Sequence, residues 1–135
     1  MATDQDLMGF GLNAFAASRL ADSSSTQAIT PAASGSTYAT STILQGNQFF
    51  TYSTAATGGW IGLPVVGGSD NAARIADDFT FLNLGAGAVT VACPTGVTLW
   101  LSGTAGITTA GATVAKGHTL QFIAANTTNW AGFLG

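Results

Sequence analysis

Between Asp78 and Phe133 the chain breaks into a run of short β-type segments, DFTFLNL, AVTVACP, VTLWLS, ATVAKG and TLQFIAA, which ends on NTTNWAGF. Nearly every break carries Gly, Pro, Asn or Thr. Strands this short, at such regular spacing, predict an all-β unit: an antiparallel β-sandwich or a jelly-roll-like barrel, preceded by a short N-terminal helix or arm. Within that unit Trp130 and Phe133 are expected to close the core.

The chain has 135 residues, enough for one domain to bury a core without disulfides. Residues 1–22 read as an arm or short helix. Thr3-Asp4-Gln5-Asp6 resembles a capping box, and Met8, Leu12, Phe15 and Arg19 or Leu20 follow at helical spacing. Gly9 and Gly11 each cost about 1 kcal/mol against Ala inside a helix, so the segment needs something to lie against. That support is either its own domain or a neighbouring subunit. Residues 23–37 are small and polar apart from Ile29, which is linker composition, with an edge strand expected around Ala28 to Thr30 and ended by Pro31. Residues 38–135 form the β domain. It opens with a predicted hairpin, Tyr38 to Leu44 and Phe49 to Ser53 around Gln45-Gly46-Asn47-Gln48.

Charge narrows what such a unit does. Only 7% of residues are charged, against roughly 25% in ordinary globular domains, while 47% are hydrophobic. The three cations, Arg19, Arg74 and Lys116, are too few for a stripe along a phosphate backbone or for a polybasic membrane contact. Neither nucleic acid nor membrane is an expected partner. The same three cations offer little protection for sheet edges, which points to a surface covered by other subunits. A monomer this size exposes about 6,500 Å². Two contacts of about 800 Å² each, plus a footprint on a larger body, would cover roughly a third of it.

Candidate chemistry is sparse, and no cofactor motif is present. Cys93, the only cysteine, ends the apolar run from Ala88 and reads as a buried, inert thiol. A catalytic role would need an activating base, and the only histidine, His118, falls in the turn-like Lys116-Gly117-His118-Thr119. The Gly-rich Gly58 to Gly68 lacks the spacing of a phosphate loop, so it reads as bends that admit Trp60, Leu63 and Val65 to the core. Asp70, Asp77 and Asp78 are the clustered carboxylates, without the spacing of a calcium loop. Asp77 and Asp78, adjacent on a strand, face opposite ways and make a poor acid–base pair. A solvated loop with Arg74 as counter-ion is the plain reading, and a structural cation the other. Asn126-Thr127-Thr128 matches a glycosylation sequon but reads as a strand-end turn, because the N-terminus carries Asp4 and Asp6 where a signal peptide carries cations. No run approaches the roughly 20 apolar residues of a membrane span, and synthesis and use in a cytoplasm are expected.

The stretch DDFTFLNLGAGAVTVACPTGVTLWLSG, followed by AGATVAKGHTLQFIAANTTNWAGF, resembles a recurrent β module of tailed-phage virion proteins. The matching positions are Asn83, Gly85, Val89 to Val91, Lys116, Gly117, Thr119, Phe122, Asn129 and Trp130. The resemblance covers the chain from Asp77 onward. It implies a structural virion component, either a capsid decoration (cement) protein or a head or tail fibre module. It also implies a homotrimer or other small oligomer, a jelly-roll-like domain, and an arm that clamps neighbouring capsid subunits. The absence of a second domain or shaft repeat favours decoration. On that reading the major capsid protein is the partner and the arm residues Leu7, Met8, Phe10, Leu12 and Phe15 make the contact. A fibre-type module would instead stack Trp60, Trp100, Trp130 or Tyr52 on a host glycan or receptor. An enzyme is not expected, since acid, base, metal and nucleophile do not assemble into any constellation.

Overall fold

The computed structural model describes residues 26–33, 37–68, 72–102, 105–108 and 110–135. The predicted arm, with Leu7, Met8, Phe10, Leu12 and Phe15, lies outside the described residues, as does Asp70. Among the described residues ten strands follow one another: β1 (Thr26–Ala28), β2 (Thr42–Ile43), β3 (Phe50–Ser53), β4 (Gly59–Gly62), β5 (Asp78–Asn83), β6 (Val89–Ala92), β7 (Thr98–Leu101), β8 (Ala110–Val114), β9 (Thr119–Ala124) and β10 (Asn129–Leu134). A 3-10 turn, Tyr38–Thr40, precedes β2. Each of the six segments read as β-type after Asp78 forms a strand.

The strands make a six-stranded sheet in the order β1-β3-β5-β9-β10-β7 and a four-stranded sheet in the order β2-β4-β6-β8. Both sheets are mixed, which corrects the expected antiparallel pairing. The pairs β1–β3, β3–β5, β2–β4, β4–β6 and β7–β10 run parallel, while β5–β9, β9–β10 and β6–β8 run antiparallel. The cause is the route of the chain, which alternates between the sheets from β1 to β8. Parallel neighbours need a crossover, and here the crossover is a strand of the opposite sheet instead of a helix. The first six strands therefore wind around the core, each turn laying one parallel strand on either sheet. Between the second and third turns the register is a constant 30 residues, Phe50 to Ser53 on Thr80 to Asn83 and Gly59 to Gly62 on Val89 to Ala92.

The same winding removes the predicted hairpin. Gln45 to Gln48 does form a turn, with Gln48 N donating to Gln45 O at 3.0 Å and Gln45 N to Gln48 Oε1 at 2.8 Å. Its flanks belong to different sheets, however. Leu44 is buried and its N–H donates to Gly62 O at 2.9 Å, while Phe49 stacks on Phe79 with ring centroids 5.1 Å apart. With a core side chain on either side, the turn crosses from one sheet to the other. An edge strand does precede Pro31, at Thr26–Ala28, and Ala32 bridges Trp60, so residues 26–32 take part in the sheets.

One apolar cluster joins the sheets. Ile61, Val89, Val91 and Val114 enter it from the four-stranded sheet, and Phe79, Phe81, Leu99, Leu120, Phe122 and Trp130 from the six-stranded one. At its centre Phe79 and Phe122 stack at 5.3 Å, and Trp130 meets both edge-on. Burying side chains of this size contributes about 1.5–3 kcal/mol each before ordering costs. Trp130 closes this core as expected, but Phe133, three residues on, is 54% exposed and does not. On β4 it is Ile61 that enters the core. Trp60 lies half-buried on the other face and Val65 is exposed, so of the three residues expected inside only Leu63 is there.

Asn83, fully buried at the end of β5, ties the layers together. Its Nδ2 donates to Gly87 O at 2.9 Å and to Val114 O at 2.8 Å, and its Oδ1 accepts from Gly85 N at 3.0 Å. Gly85 is demanded by the same corner, since a Cβ there would collide with the carbonyl of Ala55 in the turn below. One turn earlier Ser53 occupies the paired position, and its Oγ accepts from Ala55 N at 3.2 Å. Losing Asn83 strands three main-chain groups, of which Gly85 N and Val114 O are buried. Asn83→Ala is expected to cost about 3 kcal/mol or more and Ser53→Ala about 1 kcal/mol, compared by urea unfolding.

Candidate functional site

Among the described residues the reactive side chains are not gathered. Among the described residues no group of three or more His, Cys, Asp or Glu assembles that could hold a metal ion. Cys93 is buried and its Sγ donates to Ile107 O at 3.5 Å. Burial pushes the thiol up, against a smaller opposing effect of a backbone hydrogen bond at Leu99. His118 sits at the exposed β8–β9 turn, where its carbonyl accepts from Asn83 N at 3.1 Å. Tyr38 covers Gly62, and its hydroxyl donates to Leu63 O at 2.8 Å. Burial, and then the neighbouring Cys93 sulfur, push its phenol up to about 12.

The acidic loop is a turn held by its own side chain. Asp77 N donates to Arg74 O at 3.0 Å, and Asp77 Oδ2 accepts from Arg74 N at 2.8 Å. Asp78 points the other way, exposed at the start of β5. Ala76 takes the third position of this turn with φ of 72°, where glycine is the ordinary occupant. Beside it Ile75 is 60% exposed.

The outer face of the six-stranded sheet is the feature with functional content. Phe50 and Tyr52 on β3, Leu82 on β5, Ile123 on β9, Phe133 on β10 and Trp100 on β7 all alternate with core residues and so face away from the core. Asp78 is the one charged side chain on that face among the described residues. Of the four aromatics named as stacking candidates, Trp130 is core, Trp60 and Tyr52 are half-buried, and Trp100 is 51% exposed.

Trp100 is held in place. Its Nε1 donates to Asn129 Oδ1 at 2.9 Å. Asn129 is oriented in turn, because its Nδ2 donates to Asn126 Oδ1 and Thr128 Oγ1, both at 3.1 Å. Asn126 Oδ1 also accepts from Thr128 N at 2.9 Å, closing a short turn. On the other side Gly106 lies against the benzo ring, where an added Cβ would stand 3.2 Å from Cη2 and Cζ3. The sequon-like Asn126-Thr127-Thr128 is a strand-end turn as expected, but its part in fixing an indole was missed. The signal in the sequence was Leu99-Trp100-Leu101, which puts the largest side chain of a strand at the outward position.

A scan against protein-family models finds no match, and searches of curated proteins and of solved structures find none either.

Two measurements follow from these environments. Tyr38 and Cys93 both have raised values in the fold, so the unfolded chain releases their protons first. Their contribution to stability is complete at neutral pH, declines once pH exceeds the ordinary thiol and phenol values, and for Tyr38 is gone near 12. Urea unfolding across that range is expected to show the decline, reduced in Tyr38→Phe. Ala76→Gly, which relieves the positive φ at some cost in chain entropy, is expected to raise stability by about 0.5–1 kcal/mol in the same assay.

Proposed function

We propose that the chain is a non-enzymatic structural protein of a virion, a decoration (cement) protein that binds the outer capsid surface and stabilises the shell by bridging major capsid subunits. The observation that carries this reading is the character of the exposed surface. Phe50, Val65, Ile75, Leu84, Trp100, Ile123, Phe133 and Leu134 are all exposed in a chain of 7% charged residues. Four of them, Phe50, Trp100, Ile123 and Phe133, share the outer face of the six-stranded sheet, and apolar side chains grouped on one face mark an interaction site. Among the described residues the reactive groups, by contrast, are dispersed or serve the fold, as Cys93 and Asp77 do. The resemblance from Asp77 onward supplies the virion context.

On this reading the two sheets are the layers of a β-sandwich that departs from a jelly roll in its parallel pairs. The half of the outer face built by Phe50, Tyr52 and Leu82 forms contacts in a small homo-oligomer, a trimer being favoured. The arm, through Leu7, Met8, Phe10, Leu12 and Phe15, buries apolar side chains on the shell, each contributing about 1.5–3 kcal/mol before ordering costs. Repeated over many copies, a modest contact becomes a strong brace.

Deleting residues 1–22 is expected to abolish co-sedimentation with empty shells and to leave the oligomer intact by solution mass measurement. Undiminished occupancy of shells by the truncated chain would remove the arm from the mechanism. A monodisperse full-length monomer that ignores shells would sink the proposal as a whole.

A further inference from the structure

We infer that the Trp100 corner of the outer face is a binding site for a neutral saccharide, recognised by stacking of a pyranose ring on the indole. This goes beyond the capsid reading, and it uses the opposite end of the six-stranded sheet from Phe50. Four strand spacings, about 19 Å, separate β3 from β7.

Three observations identify the ligand class. The first is that Trp100 is both exposed and immobilised. It stands out of the sheet between buried Leu99 and Leu101, yet its Nε1 is committed to Asn129 and its benzo edge rests on Gly106. Asn129 is itself fixed by Asn126 and Thr128. An outward side chain that contributes only to solubility has no need of a two-layer support, whereas a stacking platform must be held by its neighbours to bind with little entropy loss.

The second observation is shape. In the cross-strand register Trp100 pairs with Ala131, and Ala131 with Ile123. All three are exposed on the outer face. The small Ala131 leaves a shallow trough between the indole, which leans over β10 to Asn129, and Ile123 on β9. An exposed indole beside so small a neighbour leaves room for one ring to stack on it.

The third is the chemistry of the rim. Asn129 touches the indole with Asn126 and Thr128 behind it, and although most of their hydrogen-bonding capacity goes to the support itself, the Asn126 Nδ2 donor and the second lone pair of Asn129 Oδ1 are left as uncharged partners of the kind that sugar hydroxyls require. Asp78, the charge on this face, is in register with Ile123 and so lies three strands from Trp100. A nucleobase would stack equally well on an indole, but its phosphates would need cations, and no Lys or Arg among the described residues lies on this face. A β-linked pyranose with equatorial hydroxyls satisfies both requirements, because its axial C–H groups form an apolar face and its rim is polar and neutral.

The test is titration of the 15N-labelled full-length protein with cellotetraose and with chitotetraose, following the Trp100 indole N–H in two-dimensional NMR spectra. A saturable shift of that resonance by either sugar is expected, accompanied by neighbours in β7 and β10. Trp100→Ala is expected to remove the binding with a dispersed spectrum retained, since the side chain lies outside the core. Asn129→Ala keeps the ring but frees it, and is expected to weaken binding about tenfold, or about 1.4 kcal/mol. The inference is overturned if neither sugar moves the Trp100 resonance up to its solubility limit. It is equally overturned if Asn129→Ala leaves the affinity unchanged, or if the resonance shifts with protein concentration alone, which would mean that a second copy covers the trough.

Discussion

Much of the structure depends on the hydrogen bonding of Asn83. Its main chain extends β5, with Asn83 N donating to His118 O and Asn83 O accepting from Gly117 N, which anchors the β8–β9 turn. Its side chain reaches the β5–β6 corner through Gly85 and Gly87 and the four-stranded sheet through Val114. Both amide hydrogens are used, and an isosteric apolar residue would leave carbonyls buried without partners. The apolar cluster supplies most of the driving force, but it is non-directional. Asn83 supplies direction, fixing where the chain leaves one sheet and where the other begins.

The winding around that corner explains how a chain with so little charge keeps its faces distinct. Each turn places one side chain inward and the next outward on both sheets, so a one-residue slip would exchange Phe79 and Phe81 with Asp78, Thr80 and Leu82. The constant 30-residue register, with Ser53 and Asn83 at matched corners, resists that slip. The outer face is therefore as firmly specified as the core, and exposed Trp100 and Ile123 occupy defined positions.

Much of this was legible in the sequence at the level of elements. The six segments after Asp78 became strands because alternation and turn residues act locally. Trp130, Leu63 and Cys93 went inside as their surroundings suggested. Strand direction was not legible. Turn chemistry such as Gln45-Gly46-Asn47-Gln48 reports a reversal of the chain but not whether the next strand joins the same sheet. Nor was the 30-residue spacing visible, because the stacked turns share backbone register far more than residue identity: Pro64 and Pro94 coincide, but Trp60 stacks on Thr90 and Tyr52 on Leu82. The Trp100 support was hidden for a similar reason, since Asn126 and Asn129 reach β7 only through the parallel pairing of β10.

The order in which strands are added has a consequence for biosynthesis. The edge of β5 is completed by β9, and the aromatic centre by Phe122 and Trp130, which leave a ribosome after the rest of that core. Until they arrive, the wound segment from β1 to β6 exposes both a bare strand edge and the apolar faces of Phe79 and Phe81. Contacts between residues so distant in sequence form slowly, and exposed edges of this kind associate with one another. Nascent chains of this protein would depend on rapid completion or on chaperones, and truncation within the last two strands would yield aggregate in place of a smaller folded domain.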